Sequence, residues 1–490
     1  MEGAQIFNTP MDLFYSRRIG RPPSRSARVP TGGRLLDNPP ATDIVGAAKL
    51  TGRTQRGTTL GLISAITARE FAAVADSNDV RTQNLVEPRA VYNVFRLKQD
   101  VLKNSSIGLI ATHATRTGEF PATVGGVDWN LNFVNNMYNL SGQVAASRAG
   151  QSTRATGMGT EIRFSKFGGK HISGSVGYEG YSRQFRANDL GFVRRSHFHS
   201  LNGWINLRGN DPWRFTRRRN VNLNINTRWN TRGAKLNQNV NFNGNVQYTN
   251  YWFTGGGFGR SFSTQDDRET GGNGLVRIPD SYFGWFFVES DFRRRASGEA
   301  FSDFGQERDG KNFGTGIFAR FQLASNIQVQ FGPNYNITRN VTRSVANVVD
   351  SANGNANRAV FGKLDTDNFS LVTRASITFT KDLSFQLYNQ LFFAYGDYRS
   401  FKALTSPTTF GPLMPELYTG NPDFNSRSMN VNAVLRWEYR PGSKLFLVWS
   451  QARSGSGTPG DGSFGRNLRG IFDAPGENVL LLKVNYWWNI

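Results

Sequence analysis

The chain has 490 residues, a net charge of +22 and no cysteine, which excludes disulfides, thiolate metal sites and a cysteine nucleophile. Apolar residues make up 38% of the sequence and never form a run of the roughly 20 residues that a membrane helix needs, so helical spanning is excluded. The basic residues are dispersed and no nucleic-acid-binding motif accompanies them, so we expect no nucleic-acid partner.

The first forty residues form a basic segment that contains several prolines and shows little alternation between apolar and polar positions. Its most prominent side chains are Tyr15, Arg17, Arg18 and Arg21. No basic and apolar leader follows Met1, as export across the bacterial inner membrane would require. We therefore expect that an upstream part of the precursor is missing from this sequence.

Strict alternation of apolar and polar residues is clearest from Leu236 to Tyr248. Since a strand places alternate side chains on opposite faces, this segment predicts a strand with one apolar face and one face of amides. The same pattern recurs in segments 221–229, 313–323, 327–337, 371–379, 429–438 and 480–490. The sequence contains no second layer that would cover so many apolar faces, as a soluble sheet requires.

Long and short connections alternate in the second half of the chain. We expect short turns at 324–326, 381–382 and 441–442, and long loops at 340–366, 400–425 and 453–475. Transmembrane barrels have short periplasmic turns and long external loops. The sequence therefore predicts an all-β protein, a transmembrane antiparallel β-barrel of about 20–22 strands, and an even number would return both ends to the periplasm.

The polar faces of these strands supply the predicted lining of the lumen. The candidates are Asn222, Asn224, Asn226, Arg228, Asn239, Asn241, Asn243, Arg320, Gln328, Gln330, Arg374 and Arg436. Amides hydrogen-bond sugars without a charge, and arginines favour anions. A barrel of this width either conducts or needs a plug, so we expect residues 1–40 to be a plug or a first strand, constricting the lumen with Tyr15, Arg17, Arg18 and Arg21, and residues 41–490 to form the barrel.

Five sequence stretches carry a family resemblance: Glu2-Gly3-Ala4-Gln5-Ile6-Phe7, Asp12-Leu13-Phe14-Tyr15-Ser16-Arg17-Arg18-Ile19-Gly20-Arg21, Ala47-Ala48-Lys49-Leu50-Thr51-Gly52-Arg53, Ser105-Ser106-Ile107-Gly108-Leu109 and Asn188-Asp189-Leu190-Gly191-Phe192-Val193-Arg194-Arg195. They resemble an uncharacterised family of bacterial outer-membrane proteins. In that family, a domain of unknown function follows a β-sandwich similar to family-9 carbohydrate-binding modules. The resemblance implies a location in the outer membrane of a Gram-negative bacterium. It implies no active site, because labels such as hydrolase would rest on the upstream module.

Candidate chemical groups are few. His197 and His199 would share a face of a strand, close to Ser200, but two ligands beside Arg194 and Arg195 make a weak metal or hydrolase site. The other candidates are acidic residues in turns and loops: Asp266, Asp267, Glu269, Glu299, Asp303, Glu307 and Asp309. Since acidic turn residues are usually solvated, we expect no catalytic site, no metal and no cofactor.

Three functions remain open from the sequence. The leading one is an outer-membrane barrel that passes or binds saccharides or anionic solutes. The second is a membrane anchor or scaffold for an upstream carbohydrate-binding or hydrolase-type module, and the third is an enzyme with a site at the mouth of the barrel. The expected partners are outer-membrane lipid, small solutes and the barrel-assembly machinery, which would recognise the C-terminal strand. A soluble β-sandwich or propeller is the rival fold.

Overall fold

A computed structural model describes residues 4–150, 155–350, 356–459 and 461–488. Across these residues the chain is all-β, with a large antiparallel sheet, one α-helix (α1, Phe464–Asp473) and 3₁₀ turns at Ala4–Phe7, Ser16–Arg18 and Pro415–Leu417. Within the described ranges, no helix has the length and apolar character needed to cross a bilayer. The chain divides into two compact units, Met1–Ile205 with Ile225–Lys235, and Asn206–Asn224 with Leu236–Ile490.

The first unit is built from short and medium strands. They are β1 (Arg34–Asp37), β2 (Ile44–Arg53), β3 (Thr58–Thr67), β4 (Glu70–Ala75), β5 (Arg81–Glu87), β6 (Ala90–Val101), β7 (Ser105–Arg116), β8 (Ala122–Phe133), β9 (Tyr138–Ala149), β10 (Ala155–Lys166) and β11 (Ile172–Tyr181). Strands β2, β3 and β6 to β11 pair in chain order as an antiparallel meander, and β1, β4 and β5 form a separate small sheet. Strands β12 (Phe198–Gly209) and β13 (Thr216–Asn230) each contribute residues to both units.

The second unit contains the longest strands. They are β14 (Lys235–Tyr248), β15 (Phe253–Ser261), β16 (Thr264–Asp266), β17 (Val276–Ile278), β18 (Ser281–Glu289), β19 (Ala296–Glu307), β20 (Gly310–Ala324), β21 (Ile327–Asp350), β22 (Ala356–Thr378), β23 (Leu383–Ser406), β24 (Thr409–Pro412), β25 (Phe424–Arg440), β26 (Ser443–Ser456) and β27 (Gly476–Asn485). Strands β14, β15, β18 to β23 and β25 to β27 pair antiparallel, each with the next of these strands along the chain. Strands β16 and β17 form an antiparallel ribbon, and the short β24 pairs antiparallel with the end of β23.

The two faces of the meander in the first unit differ in what covers them. Leu97, Leu109 and Val127 stand at paired positions on one face and are 37%, 41% and 47% exposed. Their neighbours Arg96 and Ile110 point to the other face and are buried. Alternation along each strand thus produces an open apolar face and a covered face.

The basic N-terminal segment, residues 1–40, covers part of the second of these faces through the stretch from Phe7 to Phe14. Phe7 and Leu13 are fully buried. A Cβ atom added to Gly61 would lie 2.7 Å from Phe7 Cζ, and one added to Gly126 would lie 3.0 Å from Leu13 Cδ1. Glycines in β3 and β8 therefore make room for the two apolar side chains of the segment.

The second unit also has an apolar and a polar face. Phe242 and Phe258 are paired on the apolar face of β14 and β15, and Phe304 and Phe313 on that of β19 and β20. They are 60%, 53%, 52% and 43% exposed. The intervening position on β18 is Gly284, opposite Phe258 and Phe304. A continuous row of phenylalanines is thus left open on this face.

The terminal strands of the meanders are open edges. Among the described strands, β2 pairs with β3 alone and β27 pairs with β26 alone. Every residue of both strands is exposed, including Val45 at 69% and Leu480 at 71%. Once the small sheets and β24 are set aside, 21 of the 27 described strands remain. This number lies within the predicted range, but it is odd, whereas an even number was expected.

Several predicted loops contain regular structure instead. Segment 340–366 is largely strand, because β21 continues to Asp350 and β22 begins at Ala356. Segment 453–475 contains α1, whose Ile471 is fully buried against Leu391 and Met429 of β23 and β25. The short turns at 324–326, 381–382 and 441–442 are confirmed.

Acidification is expected to loosen α1. The Arg466 guanidinium donates to Asp461 Oδ1 at 2.6 Å and the Ser463 N–H donates to the same atom at 3.1 Å, and these bonds hold the pKa of Asp461 below its usual value. Because the folded-state pKa is the lower one, the stabilisation is present above the unfolded pKa of about 3.9 and is lost as pH falls through the folded value.

The measurement is the mobility of a spin label on α1. Since the chain has no cysteine, Arg469→Cys at an exposed position of the helix provides one labelling site. The label should become more mobile as the pH falls below about 4, whereas Asp461→Asn should remove this dependence. Equal pH dependence in the two proteins would contradict the assignment to Asp461.

Candidate functional site

Paired amides form the centre of the polar face in the second unit. Asn222 Nδ2 donates to Asn243 Oδ1 at 2.8 Å, and Asn224 Nδ2 donates to Asn241 Oδ1 at 3.0 Å. Asn243 also donates to Asn241 along β14 at 2.9 Å, and Asn239 donates to Asn237 at 3.1 Å. Their side chains are half-buried, so each amide is both held by a neighbour and still accessible.

The same face continues onto the later strands. Gln330 stands opposite Arg320 on β20 and Arg374 on β22, and Gln330 Nε2 donates to Gln328 Oε1 at 2.8 Å. Register therefore brings the predicted amides and arginines of this unit onto one face. Arg436 lies on this face too, at the far end of β25.

The arginines of this face are already engaged by protein groups. Arg320 donates to the Phe292 carbonyl oxygen and lies 4.9 Å from the centre of the Phe292 ring. Arg374 lies 5.4 Å from the Tyr388 ring centre. Arg436 donates to Glu438 at 2.8 Å. Such contacts reduce the positive charge that these side chains offer to a passing anion.

Asn226 and Arg228, the remaining predicted lining residues, belong to the first unit. Arg228 lies 4.7 Å from the centre of the Phe198 ring. It borders a cavity of about 400 Å³. The other charged residues around this cavity are Asp12, Glu161, Glu179, Arg194 and Arg195. With three carboxylates and three guanidinium groups, the cavity is polar but electrically balanced.

The predicted constriction residues lie against the loop between β11 and β12. The Tyr15 N–H donates to the Leu190 carbonyl oxygen at 2.6 Å, and Arg18 Nε donates to the Gly191 carbonyl oxygen at 2.9 Å. The Tyr15 ring lies 5.5 Å from the Phe192 ring. Arg21 is held through its carbonyl oxygen, which accepts from Thr42, while Arg17 is exposed. The first three contacts fix the segment in place, and Arg17 is left facing solvent.

The histidines do not form the pair that their spacing suggested. His197 precedes β12 with a φ of 67°, so the prediction that it shares a strand face with His199 is wrong. His197 contacts the Thr231 hydroxyl, and His199 Nδ1 lies 2.7 Å from the Tyr178 hydroxyl. Over the described ranges, no group of three or more His, Asp or Glu side chains is arranged to hold a metal ion.

The acidic candidates are bound mainly to protein groups. Asp266 Oδ1 accepts the backbone N–H groups of Arg268 and Glu269 at 2.7 and 2.8 Å. Glu307 lies 2.5 Å from an Arg343 nitrogen, and Asp309 contacts Lys363. These contacts organise the loops in which the acidic residues lie.

Three aromatic side chains on the polar face escaped the sequence analysis. Phe283, Trp285 and Phe287 of β18 stand opposite Gly259, Gly257 and Gly255 of β15. The matching two-residue spacing of glycines and aromatic residues was the available signal. It becomes informative only when the register between the two strands is known.

The chain belongs to the family described as a domain of unknown function, DUF5916, whose family model matches residues 1–490. A comparison with curated proteins gave no match. Because the family description carries no activity, the function has to be inferred from the geometry of the two faces.

Proposed function

We propose that this member of DUF5916 is a β-barrel of the bacterial outer membrane that passes or binds saccharides or anionic solutes. The observation that carries the proposal is the open row of Phe242, Phe258, Phe304 and Phe313, opposite a face of amides. Monomeric soluble proteins rarely expose continuous apolar surface of this kind, whereas lipid covers it in a transmembrane barrel.

Closure of the barrel is part of the proposal. Bilayer hydrocarbon does not tolerate unpaired strand edges, so the exposed edges of β2 and β27 have to be satisfied in the membrane. The C-terminal strand β27 would also be the strand presented to the barrel-assembly machinery.

The amide pairs support solute binding in the proposed lumen. Asn222, Asn224, Asn241 and Asn243 offer hydrogen-bond donors and acceptors without net charge, which suits sugar hydroxyls. The engaged state of Arg320 and Arg374 makes an anionic solute the weaker choice.

A second function, a membrane anchor or scaffold for a carbohydrate-binding or hydrolase-type module, is favoured by one observation. Phe7 and Leu13 are fully buried against the strands of the first unit, so the N-terminal segment occupies the face that would line the lumen there. A permanently filled lumen would suit an anchor better than a pore.

Arginine substitutions on the two faces of β14 test the membrane location. Phe242→Arg places a charge on the proposed lipid face and should cost about 2–4 kcal/mol of unfolding free energy in lipid. Asn241→Arg, one residue away on the proposed wet face, should cost about 1 kcal/mol, mainly from the lost amide bonds. Urea unfolding in lipid vesicles gives both values.

A soluble protein would behave differently in the same experiment. Phe242 is 60% exposed, so outside a membrane Phe242→Arg should change stability by no more than about 0.5 kcal/mol. That result, or failure of the refolded wild type to enter vesicles, would overturn the membrane proposal.

A further inference from the structure

A row of aromatic rings crosses the polar face of the second unit along a single strand. Phe283, Trp285 and Phe287 are half-buried on this face of β18, while Phe286 points to the apolar face and is 56% exposed. Alternate residues of a strand are about 6.8 Å apart, so the three rings extend over about 14 Å. This length exceeds that of a single sugar ring.

Glycines of the preceding strand make room for these rings. A Cβ atom added to Gly257 would lie 2.6 Å from Trp285 Cη2, and one added to Gly255 would lie 2.6 Å from Phe287 Cε1. The Phe283 and Trp285 rings are 6.2 Å apart and nearly parallel, at 8°. The Phe283 and Trp285 rings therefore share an orientation, and all three rings lie over glycines of β15 instead of projecting singly into solvent.

Amides lie two strands from the rings on one side and three strands from them on the other. Asn241, Asn243 and Asn245 of β14 are paired with the three glycines of β15. On the other side, the register continues through β19 and β20 to Asn334 and Asn336 of β21. The amides supply hydrogen-bonding groups at the edges of an apolar strip.

The strip carries little charge. Each ring belongs to a row of residues that stand opposite one another on neighbouring strands, from β14 to β21. The three rows together contain one carboxylate, Asp303, and no lysine or arginine. Arg320 and Arg374, the nearest predicted lining cations of this unit, pair with Gln330 in a separate row. An anion would therefore find no partner here.

We propose that Phe283, Trp285 and Phe287 form a binding strip for a neutral oligosaccharide. The C–H faces of sugar rings carry a small positive charge and stack on the negative faces of aromatic rings, while their hydroxyls hydrogen-bond the flanking amides. The inference rests on the proposed function, because it places the strip on the face that lines the lumen. It narrows the solute to an uncharged saccharide of at least two sugar units.

Calorimetric binding of maltohexaose, cellohexaose and xylohexaose to detergent-refolded protein tests the strip without requiring an open pore. At least one of the three should bind the wild type, and an oligogalacturonide of equal length should bind more weakly. Phe283→Leu and Phe287→Leu keep an apolar side chain over each glycine but remove the ring. Each should weaken binding by roughly three- to tenfold, and Trp285→Phe should weaken it less.

Phe286→Leu, on the opposite face of the same strand, is the matched control and should leave binding unchanged. No binding by any of the three neutral hexasaccharides, or equal losses in Phe286→Leu and Phe287→Leu, would overturn the inference. Insertion into vesicles is measured on the same preparations. Insertion without sugar binding overturns the strip alone, whereas failure of insertion overturns the proposed function.

Discussion

Removal of residues 1–40 is expected to produce stepwise ionic currents that are much larger than those of the intact chain. The segment is held by the burial of Phe7 and Leu13, and by a bond of 2.9 Å from the Met11 N–H to Gln143 Oε1. It thus occupies the covered face of the meander in the first unit, which would line the lumen. A barrel of about 20 strands is wide enough to conduct once such a segment is gone.

Point substitutions separate displacement of the segment from gross misfolding. Phe7→Ala with Leu13→Ala removes two buried side chains, each worth about 2–5 kcal/mol, and should raise the conductance in planar bilayers. Val29→Ala with Leu35→Ala, at positions 42% and 48% exposed, is the control and should leave it unchanged. Closed channels in both the deletion and the Phe7/Leu13 variant would show that something other than this segment blocks the lumen.

Asp128→Asn is expected to destabilise the protein by about 3–5 kcal/mol, because it leaves a buried guanidinium without its counter-charge. The Arg96 side chain is 2% exposed and that of Asp128 is 12% exposed. Arg96 makes two hydrogen bonds to the carboxylate, one of them 2.9 Å long, and its Nε also donates to the Ile6 carbonyl oxygen at 3.2 Å. The same change should therefore loosen the N-terminal segment and raise conductance.

The double variant Arg96→Met with Asp128→Leu distinguishes the ion pair from simple loss of packing. Replacement of both charges by apolar side chains should recover most of the loss in urea unfolding experiments. Asp100→Asn removes a carboxylate that is 40% exposed and bonded to Arg53, and should cost less than about 1 kcal/mol. A double variant no more stable than Asp128→Asn would contradict the ion-pair explanation.

Alternation made individual strands predictable. The segment predicted from Leu236 to Tyr248 is β14, which begins one residue earlier, and the turn at Pro441-Gly442 joins β25 to β26 as expected. These features depend on local periodicity and on turn residues, and both can be recognised in the sequence itself. The amide face of β14 was predictable for the same reason.

Structure that depends on distant contacts was not predictable. Helix α1 has ten residues, among them Gly465 and Gly470, and such a helix is not stable alone. It forms where Ile471 packs on β23 and β25. Likewise, the sequence predicts a loop at 340–366, whereas β21 and β22 continue through most of this segment.

The aromatic strip shows the same limit at the level of the site. Gly257 and Trp285 are 28 positions apart in the sequence, and whether they meet depends on the register of β15 and β18. A slip of one residue would turn Trp285 to the apolar face. Faces could be predicted from the sequence, whereas the pairing of particular side chains across strands could not.

The position of the N-terminal segment also constrains the order of assembly. Met11 bonds to a residue 132 positions later, and Arg18 to one 173 positions later. The part of the chain that is synthesised first therefore reaches its final place only after β3 and β6 to β11 have paired and offered their buried side to it. Contacts of such long range make folding slow. A variant that weakens this docking should accumulate as a paired meander whose leading forty residues remain accessible to protease.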